Sequence, residues 1–395
     1  MIYKTHSIKL YPTESQRVLL AKACGVSRFA YNWGLSRWKE IYESGGKPTM
    51  NGLIKDLTSV KRDQFPWMME VSKTCPQYAI HNLNSAFQKF FKKESNYPKF
   101  KKKGTSDSFV AIENNAAFRN YGRKIHIPRV GKIKAAEELR FDGKVNNVVV
   151  KRKADMWFAV INLELPDPNP TLKQHTGDNQ AIVGVDLGIK SMMVLSDGTI
   201  YENPKAMQKN LKRLKQKQRK MSRKQKGSKN RRKQQMKVAK AYYKIGCIRS
   251  NAIHQATSKI VANYDIIVIE DLNPSGMAKN RNLRKAVLDV SFYEIRRQLT
   301  YKAKWRGKEV VVADRWFASS KICSCCGHKK TELKLSERTF KCDNCGLEID
   351  RDLNAAKNLA AYRPTPKSGE SHAFGVGSSH PVMVDSPTLN KEFIK

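Results

Sequence analysis

Three acidic residues stand where apolar strands end or a helix begins. Asp186 follows the apolar run 182–185, Glu270 follows the apolar run 266–269, and Asp352 opens a helical segment. A carboxylate beside a buried strand is costly unless something neutralises it, and three converging carboxylates cannot all stay ionised without a partner. Mg²⁺ relieves this repulsion, because it binds carboxylate oxygens together with water and substrate phosphates. The three acids therefore predict a Mg²⁺ site.

The chemistry expected of such a site is phosphodiester hydrolysis. Two Mg²⁺ ions about 3.5–4 Å apart activate water and stabilise the leaving oxygen of an in-line displacement. The sequence leaves alternatives for single positions. Asp352 would also fit a helix N-cap, and Asp271 and Asp350 compete for the metal-binding roles.

Four cysteines indicate a second, different metal site. Cys323 and Cys326 form one C-x-x-C pair and Cys342 and Cys345 the other, with 15 residues between the pairs. This spacing is typical of a tetrahedral Zn²⁺ site. Because four thiolates fill the coordination shell, the zinc is expected to be structural. An iron–sulfur cluster is the main alternative, and Cys325 is out of register with both pairs.

A long basic stretch predicts contacts with nucleic-acid phosphates. Residues 205–244 contain 18 Lys or Arg and no Asp or Glu. Such contacts provide affinity without sequence specificity. Aromatic residues lie among smaller basic patches at Phe100, Phe118 and Tyr121, where they could stack on bases or belong to a core. The candidate contact residues are Lys212, Arg213, Arg219, Lys220, Arg231, Arg232, Lys101 and Lys102.

Composition agrees with a polyanionic partner. The chain has 395 residues and a formal net charge of +40, which would destabilise a compact protein that had no such partner. A basic ribosomal or chromatin-type protein without chemistry is the simplest alternative. The start resembles no secretory signal, and the longest apolar runs are too short to span a membrane. We therefore expect a cytoplasmic protein associated with the nucleoid, without a membrane partner.

Two groups of elements are expected to position these residues. An N-terminal strand, a helical block introduced by the capping pattern of Thr13 and Gln16, and later strands near 124–128, 148–151 and 157–165 indicate a β-module with a helical insertion. From 181 onward, three antiparallel strands, a helix, a strand, a helix and a strand match a ribonuclease-H-like core. In that fold the first and fourth strands are neighbours and the last helix packs beside them, so the three carboxylates would converge.

Four motifs resemble the transposon-encoded TnpB (OrfB) family, whose members are compact relatives of the type V CRISPR effectors. They occur in order along the chain, and the resemblance extends over about residues 1–362. Their bounds are Gly184–Gly188, Val268–Leu272, Ser319–Gly327 and Asp350–Asn358.

This resemblance implies an RNA-guided DNA endonuclease. A guide RNA from the transposon end and a double-stranded target DNA would be its partners, and a short motif beside the target would be read by the N-terminal modules. Position by position, Asp186, Glu270 and Asp352 become the Mg²⁺ ligands of a RuvC-type site, and the four cysteines become a zinc finger. The implied domains are a β-barrel-like wedge module (1–12 and 97–170), a helical recognition module (13–96), a RuvC-like nuclease (181–318 and 349–362), a zinc finger (319–348) and a disordered tail (363–395).

Other functions remain open at this point. A guide-free, structure-specific nuclease of the same fold would explain the acids but not the additional modules. A non-cleaving RNA-guided regulator would not need the three acids. A DDE-type transposase also places acids on this fold, although a zinc insertion before Asp352 is not its usual layout. The oligomeric state is open, with a monomer expected.

Overall fold

The computed structural model consists of two compact units. One unit contains the described residues up to 166, and the other contains those from 180 onward. Residues 167–170 of the expected wedge module and the tail expected at 363–395, except for Arg363, lie outside the described residues. The structure describes residues 1–105, 107–112, 118–166, 180–334 and 337–363.

The first unit contains a six-stranded antiparallel sheet with the order β2-β5-β6-β1-β4-β3. The predicted N-terminal strand is confirmed, and its buried side chains alternate along the strand, with Ile2, Ile8 and Leu10 among them. The three later predicted strands are also present. The strands are β1 (Ile2–Tyr11), β2 (Ser108–Ile112), β3 (Lys124–Ile127), β4 (Gly131–Ala135), β5 (Lys144–Lys153) and β6 (Met156–Leu165).

The helical block lies between β1 and β2 in sequence, and its predicted start is confirmed. The Thr13 hydroxyl accepts a hydrogen bond from the Gln16 amide, and the Gln16 side chain accepts one from the Thr13 amide. Trp38 stacks on Phe87 with 4.1 Å between ring centroids. The block contains α1 (Glu14–Glu43), α2 (Met50–Val60), a 3₁₀ helix (Pro66–Glu70) and α3 (Thr74–Phe91).

The second unit is built on a five-stranded mixed sheet. Its strands are β7 (Ile182–Asp186), β8 (Ser191–Leu195), β9 (Ile200–Glu202), β10 (Ile266–Ile269) and β11 (Glu309–Val312). Their order in the sheet is β11-β10-β7-β8-β9. β10 is parallel to both β7 and β11, while β8 is antiparallel to its neighbours β7 and β9. The prediction that the first and fourth strands of this unit are adjacent is therefore confirmed.

The basic stretch forms most of a helical hairpin. Buried Leu214 and Val238 hold its two arms together, and Gly227, with φ of 86°, lies in the turn before the helix-capping Ser228. The helices of this unit are α4 (Ala206–Ser222), α5 (Lys229–Asn263), α6 (Pro274–Met277), α7 (Arg284–Val290), α8 (Phe292–Trp305) and α9 (Arg351–Ala361).

Helix α9 packs directly on β7, and Gly184 makes this close approach possible. A Cβ atom at Gly184 would lie 2.0 Å from the carbonyl oxygen of Ala356 and 2.4 Å from the amide nitrogen of Ala360. These distances are far below van der Waals contact, so only glycine fits. The first turn of α9 is thereby held beside the end of β7. A short antiparallel pair, β12 (Thr339–Lys341) and β13 (Glu348–Asp350), precedes α9.

Candidate active site

Two of the three predicted acids lie side by side at the carboxyl edge of the second sheet. Asp186 is the last residue of β7, and Glu270 directly follows β10. Val185 and Ile269 are partners in the register of these parallel strands, so the two acids leave the sheet at the same level. Asp352 reaches them from the first turn of α9. The structure therefore brings together the three carboxylates that the sequence predicts.

The electrostatics of this group are those of crowded carboxylates. Burial, followed by the charges of Glu270 and Asp352, raises the pKa of Asp186 well above its ordinary value. Burial also raises the pKa of Glu270. The hydrogen bond from Ser319 and the charge of Arg351 lower this pKa but do not outweigh burial. Both side chains keep some exposure to solvent. A cation bound between these acids would relieve the repulsion, and their hard oxygen atoms suit Mg²⁺.

The two competing acids have other partners. Asp350, not Asp352, is the N-cap of α9, because its Oδ1 accepts hydrogen bonds from the amides of Asp352 at 2.9 Å and Leu353 at 3.0 Å. The Asp352 side chain is 23% exposed, its Oδ1 lies 4.0 Å from a guanidinium nitrogen of Arg338, and its charge acts on Asp186. Asp271 forms ion pairs with Arg296 at 2.7 Å and Arg315 at 2.6 Å. The N-cap interpretation of Asp352 is wrong.

Sequence reasoning missed Ser319 as a part of this site. Its buried hydroxyl donates a hydrogen bond of 2.5 Å to Glu270 Oε1. The backbone around Ser319 is fixed by α9, because the Asn358 side chain donates to the carbonyls of Ser319 at 2.7 Å and Ile322 at 2.6 Å. Asn354, one turn earlier, also donates to Ile322. The signal in the sequence that could have pointed to this contact is the pair of asparagines four residues apart, Asn354 and Asn358.

The four predicted zinc-binding cysteines converge on one point. Their sulfur atoms all lie within 4.8 Å of one another, and two pairs, Cys323 with Cys345 and Cys326 with Cys342, are 3.6 Å apart. A tetrahedral site with metal–sulfur bonds of about 2.3 Å separates its sulfurs by about 3.8 Å. The cluster therefore has the size of a four-thiolate zinc site.

Backbone geometry around the cysteines supports the same interpretation. The glycine after each pair takes a positive φ, 74° at Gly327 and 69° at Gly346. The amide of His328 and the side chain of Asn344 lower the pKa of the Cys326 thiol to about 6. The Leu347 amide lowers the pKa of the Cys345 thiol, but the neighbouring sulfurs outweigh it and raise this pKa to about 12. Four thiols this close cannot all ionise without a cation between them.

The cysteine and carboxylate groups differ in compactness. Within the described ranges, the cysteines are the only group of three or more Cys, His, Asp or Glu whose ligand atoms all lie within 4.8 Å of one another. The oxygen atoms of the three acids do not all lie within this distance of one another. Cys325 is exposed and stands outside the cysteine cluster.

Most of the candidate phosphate contacts are available on the surface. Lys212, Arg213, Arg219, Lys220 and Arg232 are exposed on the hairpin, and Lys102 is exposed in the first unit. Two candidates have structural partners. Arg231 donates to the carbonyls of Met221 and Lys224, both at 2.9 Å, and so closes the hairpin turn. Lys101 lies over the Tyr31 ring at 4.0 Å.

The interleaved aromatic residues have separate environments. Phe118 packs against the core of the first unit. Phe100 and Tyr121 are exposed, and Lys132 lies over the Tyr121 ring at 4.1 Å. Of the two alternatives left open by the sequence, core packing holds for Phe118, whereas Phe100 and Tyr121 are exposed and could stack on bases.

Family models match three segments of the chain. A model described as "Probable transposase" (OrfB of the IS605 type) matches residues 160–281, and a "Cas12f1-like, TNB domain" matches residues 292–359. A "Helix-turn-helix domain" model matches residues 1–47, which in this structure hold β1 and the single continuous helix α1.

Similar curated proteins extend over nearly the whole chain. A "Putative RNA-guided DNA endonuclease" of Streptomyces pristinaespiralis is 34% identical, over 91% of this chain and 89% of its own length. The "Putative RNA-guided DNA endonuclease InsQ" of Escherichia coli K12 is 32% identical, over 89% and 90%. The chain therefore belongs to the transposon-encoded TnpB (OrfB) family, and the predicted resemblance is confirmed.

A solved structure with a similar fold is known. The protein in the "Cryo-EM structure of the Cas12f1-sgRNA-target DNA complex" aligns with a TM-score of 0.56, over 91% of this chain and 98% of its own, at 14% identity. At this identity the comparison shows similarity of fold. Among the described residues, no helix is long and apolar enough to cross a membrane.

Proposed function

We propose that this protein is an RNA-guided DNA endonuclease encoded by a transposon. It would bind a guide RNA, recognise a short motif beside the target, and hydrolyse phosphodiester bonds of the DNA that pairs with the guide. The observation that carries this proposal is the gathering of Asp186, Glu270 and Asp352 at one sheet edge, in a chain that belongs to the TnpB family. Relatives named RNA-guided DNA endonucleases support the activity.

The partners follow from the same relationship. The similar solved structure is of a Cas12f1 complex with single-guide RNA and target DNA. Guide RNA and double-stranded target DNA are accordingly the proposed partners of this chain. They would offset its charge of +40, and base pairing would supply the sequence specificity, so that the protein needs to hold only the backbone of the heteroduplex.

The proposed domains follow the sequence. Residues 1–12 and 97–170 would form the wedge module, and 13–96 the recognition module. Residues 181–318 and 349–362 would form a RuvC-like nuclease, a proposal supported by the strand order β11-β10-β7-β8-β9. Residues 319–348 would form the zinc finger. A monomer acting in the cytoplasm at the nucleoid is the form we propose.

The proposed mechanism places Asp186, Glu270 and Asp352 as ligands of two Mg²⁺ ions. Mg²⁺ held by these carboxylates would supply Lewis-acid chemistry, that is, a lowered pKa for a bound water and compensation of negative charge on the leaving oxygen. The chain's own residues orient the ligands. Ser319 holds Glu270 through its hydroxyl, and Asp350 caps α9 and thereby sets the position of Asp352. Asp271 is held by two arginines and is therefore not a proposed ligand.

The proposed zinc site has a structural role. Cys323, Cys326, Cys342 and Cys345 would supply all four ligands of one Zn²⁺, which leaves no open position for substrate. The exposed cations of the hairpin formed by α4 and α5 would contact nucleic-acid phosphates, where each contact contributes affinity that salt weakens.

The first experiment identifies the guide. The protein is expressed with its native flanking DNA and purified through high salt, and the bound RNA is sequenced. We expect one defined RNA that ends in a variable flank sequence. A protein free of RNA would contradict the guided function and direct the work to branched DNA, the substrate expected of a guide-free nuclease.

The second experiment tests the acids. Asp186→Ala is expected to abolish Mg²⁺-dependent cleavage of a matching target while RNA and DNA binding stay unchanged. Asp63→Ala, at an exposed acid of the first unit, is the matched control and should cleave normally. Cleavage by Asp186→Ala would exclude the proposed site, and a cellular effect that persists without cleavage would indicate a regulator.

A further inference from the structure

Two asparagines of α9 are buried against the chain that leads into the first cysteine pair. Asn354 is fully buried and Asn358 is 6% exposed. Residues four apart lie on the same face of a helix, so both amides reach one short segment. A buried amide without hydrogen bonds costs free energy, and both of these amides are bonded. We call Asn354 and Asn358 the asparagine pair.

The asparagine pair binds the backbone of that segment. Asn358 donates to the carbonyl oxygens of Ser319 at 2.7 Å and Ile322 at 2.6 Å. Asn354 donates to the same Ile322 carbonyl at 2.7 Å and accepts from the Ser324 amide at 2.9 Å. These four hydrogen bonds fix a segment of six residues along one side of α9.

The same segment carries a functional group near each end. At one end, the Ser319 hydroxyl donates to the Glu270 carboxylate at 2.5 Å. Near the other end, buried Cys323 is one of the four proposed zinc ligands, and its carbonyl accepts from the Gly327 amide at 2.9 Å within the turn of the first cysteine pair. Because the asparagine pair holds the backbone around both positions, a displacement of this turn would be transmitted to the hydrogen-bond partner of Glu270.

The later part of the cysteine-bearing segment holds the first turn of α9. The Arg351 amide donates to the Arg338 carbonyl at 2.8 Å, and the Arg351 guanidinium donates to the Lys334 carbonyl at 2.9 Å. Asp350, the last residue of β13, caps the helix. Asp352 directly follows these two residues, so the position of a second acid of the site depends on how this segment is folded.

Bound zinc would stabilise the fold of the cysteine-bearing segment. Its buried cluster consists of Phe340, Cys323 and Cys342, and structural zinc binding contributes free energy to folding directly. Loss of zinc would loosen the turns of the two cysteine pairs and weaken their hydrogen bonds to α9. Glu270 and Asp352 would then lose contacts that orient them.

We propose that the asparagine pair couples the two metal sites, so that zinc at the four cysteines raises the affinity of Asp186, Glu270 and Asp352 for Mg²⁺. This inference rests on the two proposed metal sites, and it makes the nuclease most active in its zinc-loaded form. Coupling between two binding sites is reciprocal, so Mg²⁺ at the carboxylates would in turn strengthen the retention of zinc. The asparagines are positioning residues, because they act through other side chains.

Binding of Mn²⁺ by the full-length protein, measured by electron paramagnetic resonance, tests the coupling without a guide or cleavage. Zinc is removed with a chelator under reducing conditions, and the chelator is removed by gel filtration before the titration. Zinc-free protein should bind Mn²⁺ about 5- to 150-fold more weakly than zinc-loaded protein, the usual range for coupled sites. One equivalent of zinc should restore the affinity. Equal affinities in the two states would overturn the proposal.

Asp186→Ala separates this test from that of the proposed function. This variant should weaken Mn²⁺ binding by the zinc-loaded protein. If it does so while zinc has no effect on the wild type, the carboxylate site stands and the coupling alone is overturned. If Asp186→Ala binds Mn²⁺ as the wild type does, the proposed catalytic site fails, and the coupling fails with it.

Substitution of Asn358 tests the route of the coupling. Asn358→Ala keeps all four cysteines and should retain zinc, measured by atomic absorption, but its Mn²⁺ affinity should depend on zinc much less than that of the wild type. Asn251→Ala, at an exposed asparagine of α5, is the matched control and should show the coupling of the wild type. Wild-type coupling in Asn358→Ala would overturn the role of the asparagine pair.

A measurement on the wild type alone covers the case in which Asn358→Ala does not fold. The zinc-loaded protein is brought to equilibrium with the chromogenic chelator pyridylazoresorcinol, with and without saturating Mg²⁺. Because the coupling is reciprocal, Mg²⁺ should reduce the amount of zinc transferred to the chelator. Equal transfer under the two conditions would contradict the proposal.

Discussion

At the scale of single residues, the neighbours Glu270 and Asp271 show how environment divides the roles of two acids. Burial raises the pKa of Glu270, whose nearest charged groups include Asp352. The hydrogen bonds and charges of Arg296 and Arg315 outweigh burial and lower the pKa of Asp271. At Glu270 the Ser319 hydroxyl and the charge of Arg351 do not outweigh burial, so a bound cation would favour the charged form, while Asp271 is already paired with two arginines. The sequence alone ranks them as competitors.

The hydroxyl of Ser319 gives a prediction for the positioning of Glu270. Ser319→Ala removes the 2.5 Å hydrogen bond to the carboxylate and should weaken binding of Mn²⁺, measured by electron paramagnetic resonance, by about 10- to 100-fold, the usual effect of losing a partner of a metal ligand. The Mg²⁺ concentration that gives half-maximal cleavage should rise by a similar factor.

The adjacent serine provides the control for this experiment. Ser320 has a side-chain contact with Arg351 at the long distance of 3.5 Å, so Ser320→Ala should bind Mn²⁺ as the wild type does. Equal Mn²⁺ binding by Ser319→Ala and the wild type would show that Ser319 does not position the carboxylate. Rescue by Ser319→Thr, which restores a hydroxyl, would support the assignment.

At the scale of elements, Gly184 decides whether α9 can lie on β7. Gly184→Ala would place a Cβ atom 2.0 Å from the Ala356 carbonyl oxygen, and this backbone can yield only if the helix moves. Overpacking of this kind costs about 1–3 kcal/mol or more. We expect a lower midpoint of thermal unfolding, and loss of cleavage in the folded fraction, because Asp352 would shift away from Asp186.

A second glycine provides a matched control. Gly246 lies inside α5 and has no atom within 4 Å of its Cβ position. Gly246→Ala should stabilise the protein by about 0.5–1 kcal/mol, because alanine is the better helix former. If both substitutions changed stability in the same direction, the close approach of α9 to β7 would not be the cause.

The segment that carries the four cysteines has few buried apolar residues with which to fold. Its core consists of Phe340 and two of the cysteines, which is small for an independent unit. Cys342→Ser should reduce the zinc content, measured by atomic absorption, and lower the stability of the second unit, because structural zinc binding contributes directly to folding. Cys325→Ser is the control, since Cys325 lies outside the cluster. Unchanged zinc content in Cys342→Ser would contradict the four-cysteine site.

The elements also show what sequence reasoning can and cannot find. Runs of apolar residues bounded by turns predicted β7, β8 and β10, and the order of elements predicted that β7 and β10 are neighbours. The role of Ser319 depends on a side-chain contact with the distant residue Glu270, and no local pattern encodes it. Asp350 caps α9 through the nearby amides of Asp352 and Leu353, whereas the sequence offered Asp352 as the cap. Asp289 is a case similar to that of Ser319. Its buried carboxylate accepts from the Met207 amide at the start of α4 and from Arg249 of α5, and so it anchors the basic hairpin.

At the scale of the whole molecule, the basic residues are spread over the chain, whereas the three acids of the candidate active site lie together. The basic residues are spread over both units, with 18 of the 75 Lys and Arg in residues 205–244, so binding of RNA and DNA is expected to fall steeply with salt. The three acids Asp186, Glu270 and Asp352, in contrast, lie together at one edge of one sheet. Binding is thus distributed, whereas the proposed chemistry is local.

This contrast predicts the order of strand cleavage. If a monomer cuts both strands with Asp186, Glu270 and Asp352, the strands must enter the same site in turn. A supercoiled plasmid that carries the target should therefore pass through a nicked circle before it becomes linear, and gel electrophoresis of a time course measures both products. Because the second strand must be repositioned, its cleavage should be slower than cleavage of the first strand.

Light scattering shows whether the protein in this experiment is a monomer. If a monomer produced linear DNA directly, without a nicked intermediate, a second catalytic site would be required, and the single-site mechanism would be contradicted.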